Sequence, residues 1–260
     1  MAINKDKAIL EISQRIMEAS NNVEKVYHSG RNAEYNAFWS VKQYSGGSPK
    51  TYTAEFGGRW SVDTFKPKYD IIPTSCPYLF CGNNMKIDLV EHLENIGIKL
   101  DFSRCENQNA AFYMSNFTHI GNASALGGYY NVFQSCKNLV TIDEWGDAQG
   151  REMTGNGLTT TFDSCTALEN ITIKGKFANT VYFHWSTKLT RASIESIINA
   201  LSENVSGKTL QLSKTAVDEA FKFVSQFDDG TPFEILGSEE NNPYWPQLRD
   251  SKPNWQITLV

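Results

Sequence analysis

FQSCKNLVTI, residues 133–142, and FDSCTALENI, residues 162–171, are two copies of one pattern set 29 residues apart. Phe133, Cys136, Leu139 and Ile142 match Phe162, Cys165, Leu168 and Ile171, each three residues from the next. A third F-x-x-C, Phe102-Ser103-Arg104-Cys105, stands 31 residues before Phe133. It degrades downstream, where Gln108 and Ala111 occupy positions expected to be apolar. A shorter partial copy is placed around Tyr78 to Leu89, and a further one, lacking Phe and Cys, ends at Leu189. A fixed period of this size marks a stacked-repeat architecture. One repeat has a single apolar ridge and cannot bury it alone, so stacked neighbours align like residues into a continuous interior. The Phe, Cys and Leu of successive copies are therefore expected inside, with Cys as a small and readily buried side chain.

After the repeats the chain changes character. Thr190 is placed to cap a helix over Ala192 to Leu201 with Ile194, Ile197, Ile198 and Leu201 on one face. Thr209 to Leu212 alternates as a strand, and Ser213 is placed to cap a second helix with Val217, Phe221 and Val224 inward. Trp255 to Val260 alternates as a last strand. Residues 190–260 are expected to form an α/β cap, because a stack of repeats otherwise ends in a raw apolar face.

Before the repeats, Ile9, Ile12, Ile16, Ala19, Val23 and Val26 are spaced 3, 4, 3, 4 and 3, a heptad seam. Isoleucine at both seam positions favours three strands. The segment is expected either as a trimeric stem or as an amphipathic helix lying on the chain's own body. Gly30 punctuates it, and Tyr35, Phe38 and Trp39 suggest a second short helix. Gly46-Gly47-Ser48-Pro49 is the best candidate boundary, followed by loose alternation through Tyr52, Phe56, Trp60, Val62 and Phe65 that suggests short strands. The expected organisation is α/β: a helical anchor over 1–45, a short irregular leucine-rich-repeat-like solenoid over 46–189, and the cap over 190–260.

The repeat blocks resemble the BspA-type leucine-rich repeat, roughly F-x-x-C-x-x-L-x-x-I. Residues 186–221, STKLTRASIESIINALSENVSGKTLQLSKTAVDEAF, look like the element that closes such arrays in gut-bacterial and phage-associated proteins. VYHSGRNAEYNAFW, residues 26–39, looks like the N-terminal segment of phage and prophage structural proteins that carry these repeats. The resemblance covers about residues 23–39 and 70–260. It implies a non-enzymatic virion protein of tail-fibre, receptor-binding or decoration type. A bacterial surface adhesin and an intracellular interaction module are the alternatives. The implied partners are other virion proteins or a host-surface protein or glycan, with a homotrimer as the assembly.

The remaining chemistry fits that reading. With a net charge of −5 and no Lys/Arg-rich run, nucleic acid is not expected as a partner. No stretch reaches the ~18 apolar residues of a membrane span. Met1 to Lys7 is polar and leads into the heptads, so no secretion signal is expected and the location expected is the virion. Cys76, Cys81, Cys105, Cys136 and Cys165 are odd in number with no C-x-x-C, and reduced thiols are expected. His28, His92, His119 and His184 lie far apart, so neither a metal nor a cofactor is implied. No catalytic motif is present. Gly155-Asn156-Gly157 is expected as a turn, and the adjacent acids Asp143 and Glu144 as a solvated loop rather than a glycoside-cleaving pair. Tyr129, Tyr130, Trp145, Tyr182 and Trp185 fall between the ridges, and are read either as exposed aromatics for carbohydrate or protein binding or as plugs for gaps in an irregular solenoid.

Overall fold

The computed structural model of the chain describes residues 40–43, 52–55, 71, 76–77, 79–83 and 85–260. The heptad residues Ile9, Ile12, Ile16, Val23 and Val26, and the short helix expected at Tyr35, Phe38 and Trp39, lie outside the described residues. Two strands come first. β1 (Ser40–Gln43) and β2 (Tyr52–Glu55) pair antiparallel across the Gly46–Pro49 stretch, with Ser40 opposite Glu55 and Gln43 opposite Tyr52.

A four-residue turn recurs through the middle of the chain. It is seen at Phe80–Asn83, Phe112–Ser115, Phe133–Cys136, Phe162–Cys165 and Phe183–Ser186. In each, the fourth residue's N–H donates to the phenylalanine carbonyl at 2.9–3.2 Å, closing a β-turn. In four of them the third residue takes positive φ: Gly82 at 67°, Met114 at 57°, Ser135 at 64° and Ser164 at 59°. Neighbouring turns hydrogen-bond to each other, as in Gly82 N to Tyr113 O (2.8 Å), Met114 N to Gln134 O (2.9 Å) and Ser135 N to Asp163 O (2.7 Å). This brings the five rings into a column. Successive centroids from Phe80 through Phe112, Phe133 and Phe162 to Phe183 lie 5.2, 5.4, 5.6 and 4.3 Å apart, all within 23° of parallel. The Cys136 thiol donates to Phe112 O (2.9 Å) and the Cys165 thiol to Phe133 O (3.0 Å), while the Ser186 hydroxyl donates to Cys165 O (3.2 Å).

Phe133, Cys136, Leu139 and Ile142 are buried beside Phe162, Cys165, Leu168 and Ile171, as the 29-residue period predicts. Two expectations about the flanking copies need correction. Phe102–Cys105 closes the same turn (Cys105 N to Phe102 O, 2.8 Å) and both residues are buried, but Phe102 meets Phe112 edge-on at 72°, so Phe112 and not Phe102 precedes Phe133 in the column. The copy ending at Leu189 does not lack its aromatic: Phe183 supplies the ring, and Ser186 takes the cysteine's place.

The chain is mixed α/β, with several small parallel sheets. Helix α1 (Leu89–Asn95), capped by Asp88, leads to β3 (His119–Asn122) and β4 (Thr141–Gly146). β5 (Glu152–Met153), a 3-10 turn at Asn156–Thr159, β6 (Asn170–Lys174), β7 (Lys176–Phe177) and β8 (Val181–Phe183) follow. β3, β4 and β6 form a parallel sheet in that order, with Ile120, Ile142 and Ile171 in register on its buried side. Parallel strands need crossovers, and here each crossover carries one of the phenylalanine turns. β5 pairs with β7 in parallel.

Helix α2 (Arg191–Asn199) closes this sheet. Thr190 accepts from Ser193 N as its N-cap, and Ile194, Ile197 and Ile198 are buried. Its hydroxyls meet the free edge of β6: Ile171 N donates to Ser193 Oγ at 3.0 Å and Ile173 N to Ser196 Oγ at 2.9 Å. An unpaired edge left open would invite another chain. The helix stops before Leu201, which instead bridges to Phe177 and is buried. β9 (Lys208–Leu212) then pairs in parallel with β8 and with β12 (Trp255–Leu259). Between them come α3 (Lys214–Ala220), a hairpin of β10 (Phe223–Gln226) with β11 (Pro232–Ile235), and α4 (Trp245–Asp250). Val224, expected inward on a helix, is 57% exposed on β10. The helix ends at Ala220 with Phe221 as its C-cap, and the Asp228-Asp229-Gly230 turn, with Gly230 at φ 82°, joins β10 to β11.

Candidate functional site

Trp145 was expected to project and is instead fully buried. Regular alternation from Ile142 would send it outward. However, Asp143 and Glu144 together oppose Thr172, a bulge that returns Trp145 to the inner face. Its ring meets Phe162 edge-on at 5.0 Å and Tyr129 at 5.6 Å, and its indole N–H donates to the buried Gln108 side chain at 3.2 Å. Tyr129 is likewise corrected: only 8% of it is accessible. Its hydroxyl lies 3.1 Å from Asp147 Oδ2 and 3.2 Å from Ala125 O.

Asp147 is the hub of a polar cluster. Its carboxylate is 3% exposed and accepts from Gln149 N (2.9 Å), Arg151 N (3.0 Å), Arg151 Nε (3.1 Å) and Arg151 Nη2 (2.9 Å). Arg151 Nη2 also donates to Leu126 O at 3.1 Å. Burial alone raises a carboxyl pKa, but the Arg151 and backbone hydrogen bonds outweigh it and hold Asp147 below its ordinary value. Burial beside this charge pushes the Tyr129 phenol far up.

Over this cluster opens a groove of about 510 Å³. Its walls carry Asn109, Tyr130, Arg151, Glu152 and Asn156, together with Gly127, Gly128, Gly155 and Gly157. Close approach is tightest at two of these glycines. A Cβ at Gly128 (φ 74°) would fall 2.3 Å from Gln108 N, and one at Gly157 within 2.6 Å of Tyr130 Cα, Cβ and Cδ2. Tyr130 is thereby seated against Gly157 while remaining 53% exposed. Glu152 Oε1 accepts from Ser202 Oγ and from Asn204 Nδ2, which lowers the carboxyl's pKa. Gly155-Asn156-Gly157, expected as a turn, enters the 3-10 turn.

Tyr182 and Trp185 gather elsewhere, around the His184 ring at 5.8 and 5.3 Å, and do not line this groove. Trp185 is 48% exposed and Tyr182 half-buried. Of the five aromatics named from sequence, the structure therefore unites only Tyr129 and Tyr130 at one opening.

A second cluster was not foreseen. His119 Nδ1 lies 2.9 Å from Asp88 Oδ2 and its Nε2 lies 2.8 Å from Asp143 Oδ1. Burial pulls the imidazole pKa down, but the two carboxylate hydrogen bonds outweigh it and leave it raised, while Asp88 is lowered. Asp143 and Glu144, expected in a loop, lie on β4. They are engaged separately, since Glu144 accepts from Asn122 and Ser124 and faces Lys174 at 3.3 Å. Beside them a smaller groove of about 250 Å³ runs between α1 and β3, floored by Leu89, Leu93 and Leu100. Among the described residues no group of three or more His, Cys, Asp and Glu is arranged to hold a metal ion, and no helix is long and apolar enough to cross a membrane. No protein-family model, curated protein or solved structure matches this chain.

Proposed function

We propose that this chain is a short, irregular leucine-rich-repeat-like solenoid that acts without catalysis, as a virion structural protein of tail-fibre, receptor-binding or decoration type. The observation that carries the reading is the column of five phenylalanine turns, interleaved with parallel strands, on whose flank the Tyr130 groove opens. The repeat's resemblance to phage-borne BspA-type arrays supplies the setting. A stack pinned turn to turn is a rigid support, and binding to a preformed surface avoids the entropy of ordering it. The groove's charges suit holding better than proton transfer. Asp147 is kept ionised by Arg151 and backbone N–H groups, whereas a general acid or base works best with a pKa near the operating pH.

The heptad seam of Ile9, Ile12, Ile16, Val23 and Val26 supports a homotrimer, in which linked weak sites gain avidity without new contacts. The partner is then another virion protein, or a protein or glycan of the host surface. Adsorption of fluorescently labelled full-length chain to intact bacterial cells and to purified phage particles tests the reading. Saturable binding to either is expected. Binding to neither, with selective capture by a cytosolic protein, would favour the intracellular interaction module instead.

A further inference from the structure

We infer that the groove beside Tyr130 is a saccharide-binding site selective for neutral pyranosides, an inference that rests on the binding-surface reading above. The first support is the platform. Tyr130 is fixed at its base and along one side: its N–H donates to Asn109 Oδ1 at 3.1 Å, and Gly157 packs against its Cα, Cβ and Cδ2. An aromatic face is electron-rich, and the C–H face of a pyranose presents the complementary charge.

The second support is a set of hydrogen-bonding atoms left over after the internal network is complete. Arg151 uses Nε and Nη2 on Asp147 and Leu126, leaving Nη1 without an acceptor among the described residues. Glu152 takes both of its hydrogen bonds on Oε1, leaving Oε2 without a donor among them. Asn156 accepts from Asn179 on Oδ1 at 2.8 Å, which leaves its own amide N–H groups to donate. A rigid donor, a rigid acceptor and an amide around one opening match the vicinal hydroxyls of a sugar, each of which both donates and accepts.

The third support is charge and shape. Asp147 and Arg151 neutralise each other, so the groove's remaining charge is the Glu152 carboxylate, which opposes uronates, sialates and phosphorylated sugars. Leu126 is the one aliphatic side chain in the lining, so the deep apolar socket that anchors a protein hot spot is lacking. At about 510 Å³ the opening is the size of ordinary small-ligand sites, roughly 300–1,000 Å³.

The test is an array of neutral and anionic bacterial oligosaccharides probed with the full chain. It is followed by saturation-transfer NMR and calorimetry on the neutral oligosaccharide that binds best. Tyr130→Phe is expected to retain binding, Tyr130→Ala to abolish it, and Glu152→Gln to weaken it about ten-fold or more, close to 1.4 kcal/mol. Circular dichroism and urea unfolding of each variant confirm that it is folded. Preference for anionic glycans, or neutral binding indifferent to Tyr130→Ala in a folded variant, overturns the assignment. Absence of any glycan binding while the chain still adsorbs to cells or particles overturns it too and leaves the surface reading standing. Absence of both removes both.

Discussion

Replacing Phe133 with alanine is the sharpest test of the column. Phe133 is fully buried, with Phe112 stacked at 5.4 Å on one face, Phe162 at 5.6 Å on the other, and Trp145 edge-on at 5.9 Å. Truncating a buried phenylalanine costs about 3–5 kcal/mol, the lost transfer energy plus the cavity. Each aromatic pair contributes ~0.5–1.5 kcal/mol beyond buried area. The site has little freedom to collapse, because Phe133 N is bonded to Thr161 O (3.1 Å) and the Cys165 thiol to Phe133 O (3.0 Å). The upper half of the range, about 4 kcal/mol, is therefore expected. In urea, with a slope of about 2 kcal/mol per molar, the midpoint should fall by about 2 M at unchanged slope. Tyr130→Ala, at an exposed ring, should shift stability by less than ~1 kcal/mol in the same assay. A Phe133→Ala cost below about 1.5 kcal/mol would mean that the rings are not packed as described.

Three further outcomes follow from other parts of the molecule. His119, held between Asp88 and Asp143, has a pKa raised above its ordinary 6.5, so its stabilising contribution is complete below that value and is lost as pH climbs through the raised one. The melting temperature of wild type relative to His119→Ala should thus decline as pH rises above about 6.5, and a difference that is flat or rising refutes the bracket. Burial pushes Cys136 up to about 12 and Cys165 well above its ordinary value, so neither should react with a maleimide at neutral pH until the chain unfolds. Labelling of either at the unfolded rate in native buffer contradicts their place in the core. Light scattering should find a trimer that Ile12→Asp with Ile16→Asp disperses while the far-ultraviolet spectrum of the repeats persists; a wild-type monomer removes the stem.

Much of the fold is legible where the repeat is most regular. The match of Phe133, Cys136, Leu139 and Ile142 to Phe162, Cys165, Leu168 and Ile171 predicts both the burial and the register of β4 against β6. Thr190 predicts the start of α2, and alternation predicts β12. The partial copies around Tyr78 to Leu89 and ending at Leu189 do hold turns, while the turn at Phe112 is hidden because no cysteine marks it. The position also takes polar side chains, and Asn83, Ser115 and Ser186, all buried, occupy it. Spacings of 32, 21, 29 and 21 residues between successive column phenylalanines also conceal a period in the outer copies. Trp145 was misplaced because a bulge breaks the alternation on which strand faces are judged.

The site was legible only in part. Tyr129 and Tyr130 are adjacent in sequence and differ in fate, one buried against Asp147 and the other exposed on Gly157. Arg151 and Glu152 carry no motif. Their roles arise from Asp147 and from Ser202 and Asn204, the latter two some 50 residues away, and only the folded chain brings them together. The Asp88, His119 and Asp143 cluster is likewise assembled across parallel strands from separations of 31 and 24 residues.

Quantitative mass spectrometry of phage particles purified from cultures in which the chain is expressed from its own gene tests the central claim most directly. The account predicts the chain in intact particles, co-sedimenting with tail or capsid proteins in copy numbers divisible by three. Particles that form and infect without it, with the chain confined to the cytosolic fraction, would contradict a virion role.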